Sequence, residues 1–292
     1  MVFKRLLGSK NKGGPSIPLV VDTVIADEPV QPGGMLRGEV VLRAPDREVR
    51  VRDVKVKLVV NASPALGKDT EVDTESGDVF GIAYPGGAFT VGKGEEVRIP
   101  LRYRLKWETP VSEVHGERVE GVRLAAYTEV ESEGIEDRTD SDPLHIAATP
   151  LHEAVLDAFA AAGYSCGSAQ IDPLGHIPRA ERQLSERQSF RLVDTLAVQG
   201  LPRPQHLEVT FVTNPVGAEI YVRKAALHQK EWARKPPYER YAAAHHEVGQ
   251  RDFEADVNRW IEEVAALPDK REDPRLERVQ YDLGSPREWA ET

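Results

Sequence analysis

Apolar and polar positions alternate strictly along one stretch of this chain. Val97, Ile99, Leu101, Tyr103 and Leu105 interleave with Arg98, Pro100, Arg102, Arg104 and Lys106. A period of two predicts a strand with one face in a core and a basic face in solvent. Pro100 has no N–H for a ladder, so this strand belongs at a sheet edge, or Pro100 at a bulge. The same pattern predicts strands over 19–25, 36–42, 79–84 and 122–130. Val49 and Val51 share one parity, whereas Val54, Val56, Leu58 and Val60 share the other. Both sets reach one core only if an extra residue near Arg52-Asp53 shifts the phase. Turn chemistry punctuates the runs at Gln31-Pro32-Gly33-Gly34, Pro85-Gly86-Gly87 and Gly92-Lys93-Gly94.

The period changes once, over 149–163. Thr149 suits an N-cap, Pro150 the first helical position and Gly163 a left-handed exit. Leu151, Val155, Phe159 and Ala162 make one apolar stripe between them. Strands resume over 189–193, 207–213 and 218–223, with Asn214-Pro215-Val216-Gly217 as a hairpin turn. A second helix follows, capped by Asp252, with Phe253, Val257, Trp260, Ile261 and Val264 on one face and Pro268 ending it. The stretch 227–250 is ambiguous, and its part up to His246 reads as helical. Many short strands without interleaved helices predict a mainly β protein of two β-sandwich units joined by a short helix, with a further helix near the C-terminus. The boundaries are 1–148, 149–163, 164–267 with the terminal helix, and a loosely held tail over 268–292.

Composition narrows the function. The 292 residues hold 48 acidic and 38 basic side chains, a net charge of −10, which argues against nucleic acid as a partner. One cysteine, Cys166, excludes an internal disulfide and suits a reducing, cytoplasmic location. No apolar run approaches the ~20 residues that span a bilayer. The N-terminal segment places Val2, Phe3, Leu6 and Leu7 among Lys4, Arg5, Lys10 and Lys12, enough for a weak membrane contact or for packing on its own domain.

Each candidate for chemistry lacks a necessary part. Gly87 to Lys93 spells GxxxxGK, but Gly94 and a strand follow where a phosphate loop needs Ser or Thr and a helix. Cys166 could pair with His152 or His176, yet no third group orients them, and a buried or half-buried structural thiol is the plainer reading. His245-His246-Glu247 places metal-type side chains at adjacent rather than helical spacing. Asp137, Asp140 and Asp142 form an acidic loop before the unit junction. Their spacing is wrong for calcium. They either pair with arginines between the two units or simply face water. No cofactor or metal site is expected. The basic row Arg98, Arg102, Arg104 and Lys106 is either a solvated face or a surface for an acidic partner adding to a sheet edge.

Several pieces resemble a known family in order. They are Val20-Val21-Asp22-Thr23-Val24, Gln31-Pro32-Gly33-Gly34, Arg37-Gly38-Glu39-Val40, Val91-Gly92-Lys93-Gly94-Glu95-Glu96 and Ile99-Pro100-Leu101. Glu108-Thr109-Pro110, the acidic run 137–143, the helix with Val155-Leu156 and Ala162-Gly163-Tyr164, Gln188-Ser189-Phe190 and Leu207-Glu208-Val209-Thr210-Phe211 follow. This set is similar to the bacterial sporulation-control proteins of the stage-zero M type over residues 19–213. The likeness weakens after Tyr221. The resemblance implies two arrestin-like sandwiches and a non-enzymatic regulatory scaffold in sporulation, developmental or cell-division control. Its implied partners are cytoplasmic regulatory or cell-division proteins, and the oligomeric state is left open. The alternatives are a β-sandwich module binding lipid or glycan and, further off, a hydrolase. A ligand module would cluster exposed aromatics, whereas Trp107, Trp232 and Trp260 are scattered along the chain or directed to its core.

Overall fold

The computed structural model describes residues 18–60, 78–173, 186–196, 203–225 and 236–269. In chain order its first half contains β1 (Val20–Ile25), β2 (Met35–Arg43), β3 (Val49–Val60), β4 (Asp78–Gly86) and β5 (Phe89–Val91). Next come β6 (Glu96–Arg104), β7 (Glu113–Val114), β8 (Glu117–Arg118), β9 (Leu124–Ser132) and β10 (Arg138–Pro143). One antiparallel sheet runs β1-β2-β6, and a second runs β10-β9-β3-β4, with β5 also on β3. They sandwich a core of alternate side chains, including Leu36, Val40, Leu42, Leu101, Val54, Val56 and Leu58. Burying each such aliphatic is worth about 1.5–3 kcal/mol.

The two irregularities predicted for this sandwich are both present. Val51 pairs with Ser132 and Asp53 with Glu131, which leaves Arg52 as the extra residue of a bulge. Val49 and Val51 on one side of it and Val54, Val56, Leu58 and Val60 on the other are consequently all buried. Strand β6 lies at a sheet edge, with Pro100 opposite Glu39.

The second half opens with α1 (Pro150–Ala161), whose N-cap Thr149 accepts the His152 N–H. It continues as β11 (Tyr164–Pro173), β12 (Glu186–Asp194), β13 (His206–Thr213), β14 (Gly217–Lys224) and β15 (Glu239–Ala244). A 3-10 turn (His245–Glu247) leads to α2 (Phe253–Ala266), where Asp252 caps Ala255 N–H at 3.0 Å. The five strands pair in sequence order as an antiparallel meander. The Asn214 side chain closes the β13–β14 turn by accepting the Val216 and Gly217 N–H groups. Among the described residues this half is one sheet, and its apolar face is covered by α1 and α2 rather than by a facing sheet. Trp260 of α2, fully buried, stacks on Tyr241 at 4.3 Å between ring centroids and meets Phe159 of α1 at 6.5 Å.

Three local expectations give way. Residues 239–244 are strand β15, with Tyr241 and Ala243 turned inward and Arg240 and Ala242 out, and only His245 and His246 enter a 3-10 turn. Three consecutive alanines fit either period, and pairing with β14 selects the strand. Of the acidic run, residues 138–143 form strand β10 rather than a loop, held by a regular ladder to β9. The buried apolar side chains form one connected cluster through both halves, not a separate interior for each. Leu151, Val155 and Phe159 of α1 belong to that cluster, so the helix serves as core as well as connector. Residues 1–17, 227–235 and 270–292, for which a membrane-contact segment, an ambiguous stretch and a loose tail were expected, lie outside the described residues.

Candidate functional site

The halves are joined by specific polar contacts around the β7–β8 hairpin and the start of α1. Gln188 of β12 accepts the Val111 N–H at 2.8 Å and donates to the Val111 carbonyl at 2.7 Å. Its side-chain amide thus imitates one rung of a β ladder. Ala169 N–H of β11 bonds the Glu120 carbonyl at 2.8 Å. Close by, a Cβ on Gly121 would sit 2.4 Å from the Ala169 carbonyl oxygen, so only glycine permits this approach. The hairpin turns at His115 and Gly116, both at positive φ. That places His115 against α1, where its N–H meets Glu153 and its Nε2 meets Asp157, each at 2.8 Å.

Within the second half, His152 anchors α1 to the sheet. Its Nδ1 takes the Thr149 N–H, so the remaining proton sits on Nε2 and is donated to Thr213 Oγ1 at 2.8 Å. Complete burial drives its pKa down to about 3, with His245 adding to the effect, and the ring stays neutral. The Trp107 ring of the first half meets the His245 ring of the second at 5.4 Å between centroids, tilted by 35°. Sequence reasoning missed Gln188 as a joint and His152 as the anchor of α1. A polar residue in a strand and a histidine at a helix's third position carry no local signal for such a role.

The three aspartates proposed for the unit junction lie elsewhere. Asp140 accepts the Thr23 N–H of β1 at 2.6 Å, and Thr23 Oγ1 meets Thr128 Oγ1 of β9. This seam joins the edge strands β1 and β10 of the two sheets within the first half. Asp142 turns toward the same seam, and its Oδ2 is buried without a hydrogen-bond partner. Partial burial, then the charge of the Asp140 carboxylate, then a hydrogen bond that protonated Asp142 shares with Asp140, then Asp22 push the Asp142 pKa up to about 7. Burial and Asp140 raise Asp22 as well, against the Arg98 charge that lowers it. Asp137 is exposed just before β10.

The basic row on β6 divides in two. Arg98 bonds Glu39 and Glu96, and Arg43 also pairs with Glu96, so that end of the face is neutralised within the sheet. Toward the other end Arg102 lies directly opposite Arg37. Arg104 donates to the Gly33 carbonyl at 2.9 Å, and Lys106 is engaged by a neighbour.

The motifs weighed for chemistry occupy structural positions. Gly92 to Glu95 is a tight turn, closed by Glu95 N–H to the Gly92 carbonyl at 3.0 Å, that feeds β6. His245 Nε2 contacts the Asn214 carbonyl at 2.9 Å. Cys166 is exposed beside a bulge in β11, not buried as expected, because the register slips between Cys166 and Ser168. Neighbouring atoms crowd its sulfur and push the thiol pKa up, away from that of an activated nucleophile. Among the described residues no group of three or more metal-type side chains gathers, and no helix is long and apolar enough to cross a membrane.

Comparison with known proteins agrees with this architecture. The sporulation-control protein spo0M of Bacillus subtilis (strain 168) is 26% identical over 220 residues, which cover 75% of this chain and 78% of that protein. The crystal structure of Spo0M from the same organism superposes with a TM-score of 0.66 at 20% identity, covering 85% of this chain and 99% of the other. The model of the SpoOM protein family matches residues 3–224, well over half the sequence, and the chain belongs to that family.

Proposed function

We propose that this protein is a non-enzymatic, cytoplasmic regulator of sporulation or a related developmental or cell-division process, working through contacts with other proteins. The observation that carries the reading is the family match together with a relative, similar over three quarters of the chain, whose name is sporulation control. Two structural facts support it. Two of the histidines weighed for chemistry serve structure instead, His152 in the cap of α1 and His245 at the β13–β14 turn. The sheets also present edge strands, β6 and β4, whose outer backbone groups offer a template for a partner strand.

The test places the chain in a sporulating Bacillus host deprived of its own relative and counts heat-resistant spores. Crosslinking and mass spectrometry on the same cells identify what the chain touches. Restored spore counts with recurrent protein crosslinks support the reading. Unchanged counts and an absence of recurrent crosslinks would refute it.

A further inference from the structure

The outer face of the three-stranded sheet carries an arginine pair that its own chain leaves unanswered. Arg37 of β2 and Arg102 of β6 are directly opposite each other, both exposed, with no acidic partner among the described residues. Like charges facing across a ladder are unfavourable, with Cβ atoms about 5 Å apart. The neighbouring arginines of this sheet, Arg43 and Arg98, are matched by Glu39 and Glu96. Arg104, one step further along β6, gives one guanidinium nitrogen to Gly33 and keeps other donors for solvent.

Among the described residues β6 pairs with no strand on its side away from β2, although β4 of the other sheet packs close to its inner face. Leu105 N–H bonds the Gly34 carbonyl, so odd-numbered residues of β6 point their backbone groups at β2. In an antiparallel ladder the even-numbered residues then point theirs away from the sheet. The outward N–H groups around the arginines are those of Arg98, Arg102 and Arg104, and the missing one is that of Pro100, where its absence costs no ladder bond. Side chain and backbone therefore advertise the same two-residue period along one line.

We infer that the β6 edge binds an extended acidic peptide segment, which adds as a fourth strand and places alternate carboxylates on Arg102, Arg104 and Arg37. This deepens the contact reading and rests on it. An anionic membrane fits less well: the chain carries a net charge of −10, and Glu39, Glu96 and Asp22 bound the patch on its other side. The basic footprint is a short line rather than a plane. Nucleic acid fits less well for the same reason, since few phosphates could be neutralised.

The experiment measures fluorescence anisotropy of a synthetic peptide with glutamates at alternate positions and valine or threonine between them. Controls are the same composition with the glutamates grouped together, and phosphatidylserine vesicles. The alternating peptide should bind, and amide exchange should slow at Arg102 and Arg104. Arg37→Glu and Arg102→Glu should each weaken it about tenfold, equivalent to ~1.4 kcal/mol. Arg43→Gln, whose charge Glu96 already answers, should leave binding unchanged. Equal affinity in either arginine reversal, equal binding of the grouped peptide without amide protection, or binding of vesicles but not peptide would each overturn the proposal. Should the peptide fail while crosslinked partners recur in cells, this face is lost and the contact reading stands. Should both fail, both are lost.

Discussion

Replacing Asp142 with asparagine should stabilise the protein at neutral and alkaline pH and do little in acid. The carboxyl faces Asp140 from its own strand and Asp22 from β1, its Oδ2 is buried without a hydrogen bond, and its pKa stands near 7 against 3.8 when unperturbed. Arg98 of β6 acts on the seam by lowering the Asp22 pKa. A folded pKa above the unfolded one means that the native state holds the proton more tightly. Stability from this group is therefore present below about pH 4 and is lost as pH rises toward 7. One pKa unit is about 1.4 kcal/mol, so the shift sets a ceiling near 4 kcal/mol. The residue is partly exposed, and screening reduces the expected effect to about 1–2 kcal/mol. The substituted amide carries no charge at any pH. The gap between variant and wild type should open between about pH 4 and pH 7 and then stay level. Thermal and urea unfolding at half-unit pH steps would measure it, with a gain of about 2–6 °C in Tm expected at pH 8. The difference between the two proteins isolates this site from His152, whose titration runs the other way. A variant less stable than wild type at pH 8, or a gap independent of pH, would refute the reasoning.

Three further outcomes follow from the packing. Trp260→Ala removes a fully buried ring stacked on Tyr241 and should cost about 3–5 kcal/mol in urea unfolding, with Trp260→Phe costing less. Gln188→Ala leaves the Val111 N–H and carbonyl without their partner and should cost about 1–3 kcal/mol. Small-angle scattering should then show a wider spread of orientations between the halves. Neutral His152 is stabilising above the unfolded histidine pKa of about 6.5, and that contribution drains away as pH falls toward 3. His152→Gln should flatten the acid limb of the stability profile measured by circular dichroism.

Much of the fold is legible in local pattern. The β3 bulge follows from a parity conflict between Val51 and Val54, because a strand admits only two faces. The edge position of β6 follows from Pro100, and both helices from a cap, a stripe and a stop. These are effects between residues near in sequence, where the period of side chains along an element carries the information. Strand β10 escaped because alternating aspartates look like solvated loop until a ladder to β9 gives them a strand, and β15 because alanines fit either period.

What tertiary structure alone decided is which distant groups meet. Asp140 and Asp142 of β10 face Asp22 and Thr23 of β1 instead of the second half, since closing the two sheets brings their edge strands together. Arg37 and Arg102 lie on strands far apart in sequence, yet the β2–β6 register sets them face to face. Gln188 reaches Val111 only because α1 folds back into the common core. The chain's own order determined elements and faces through short-range sterics and burial. Register and sheet closure, which are collective properties of the packed whole, determined its charge pairs and its open surfaces.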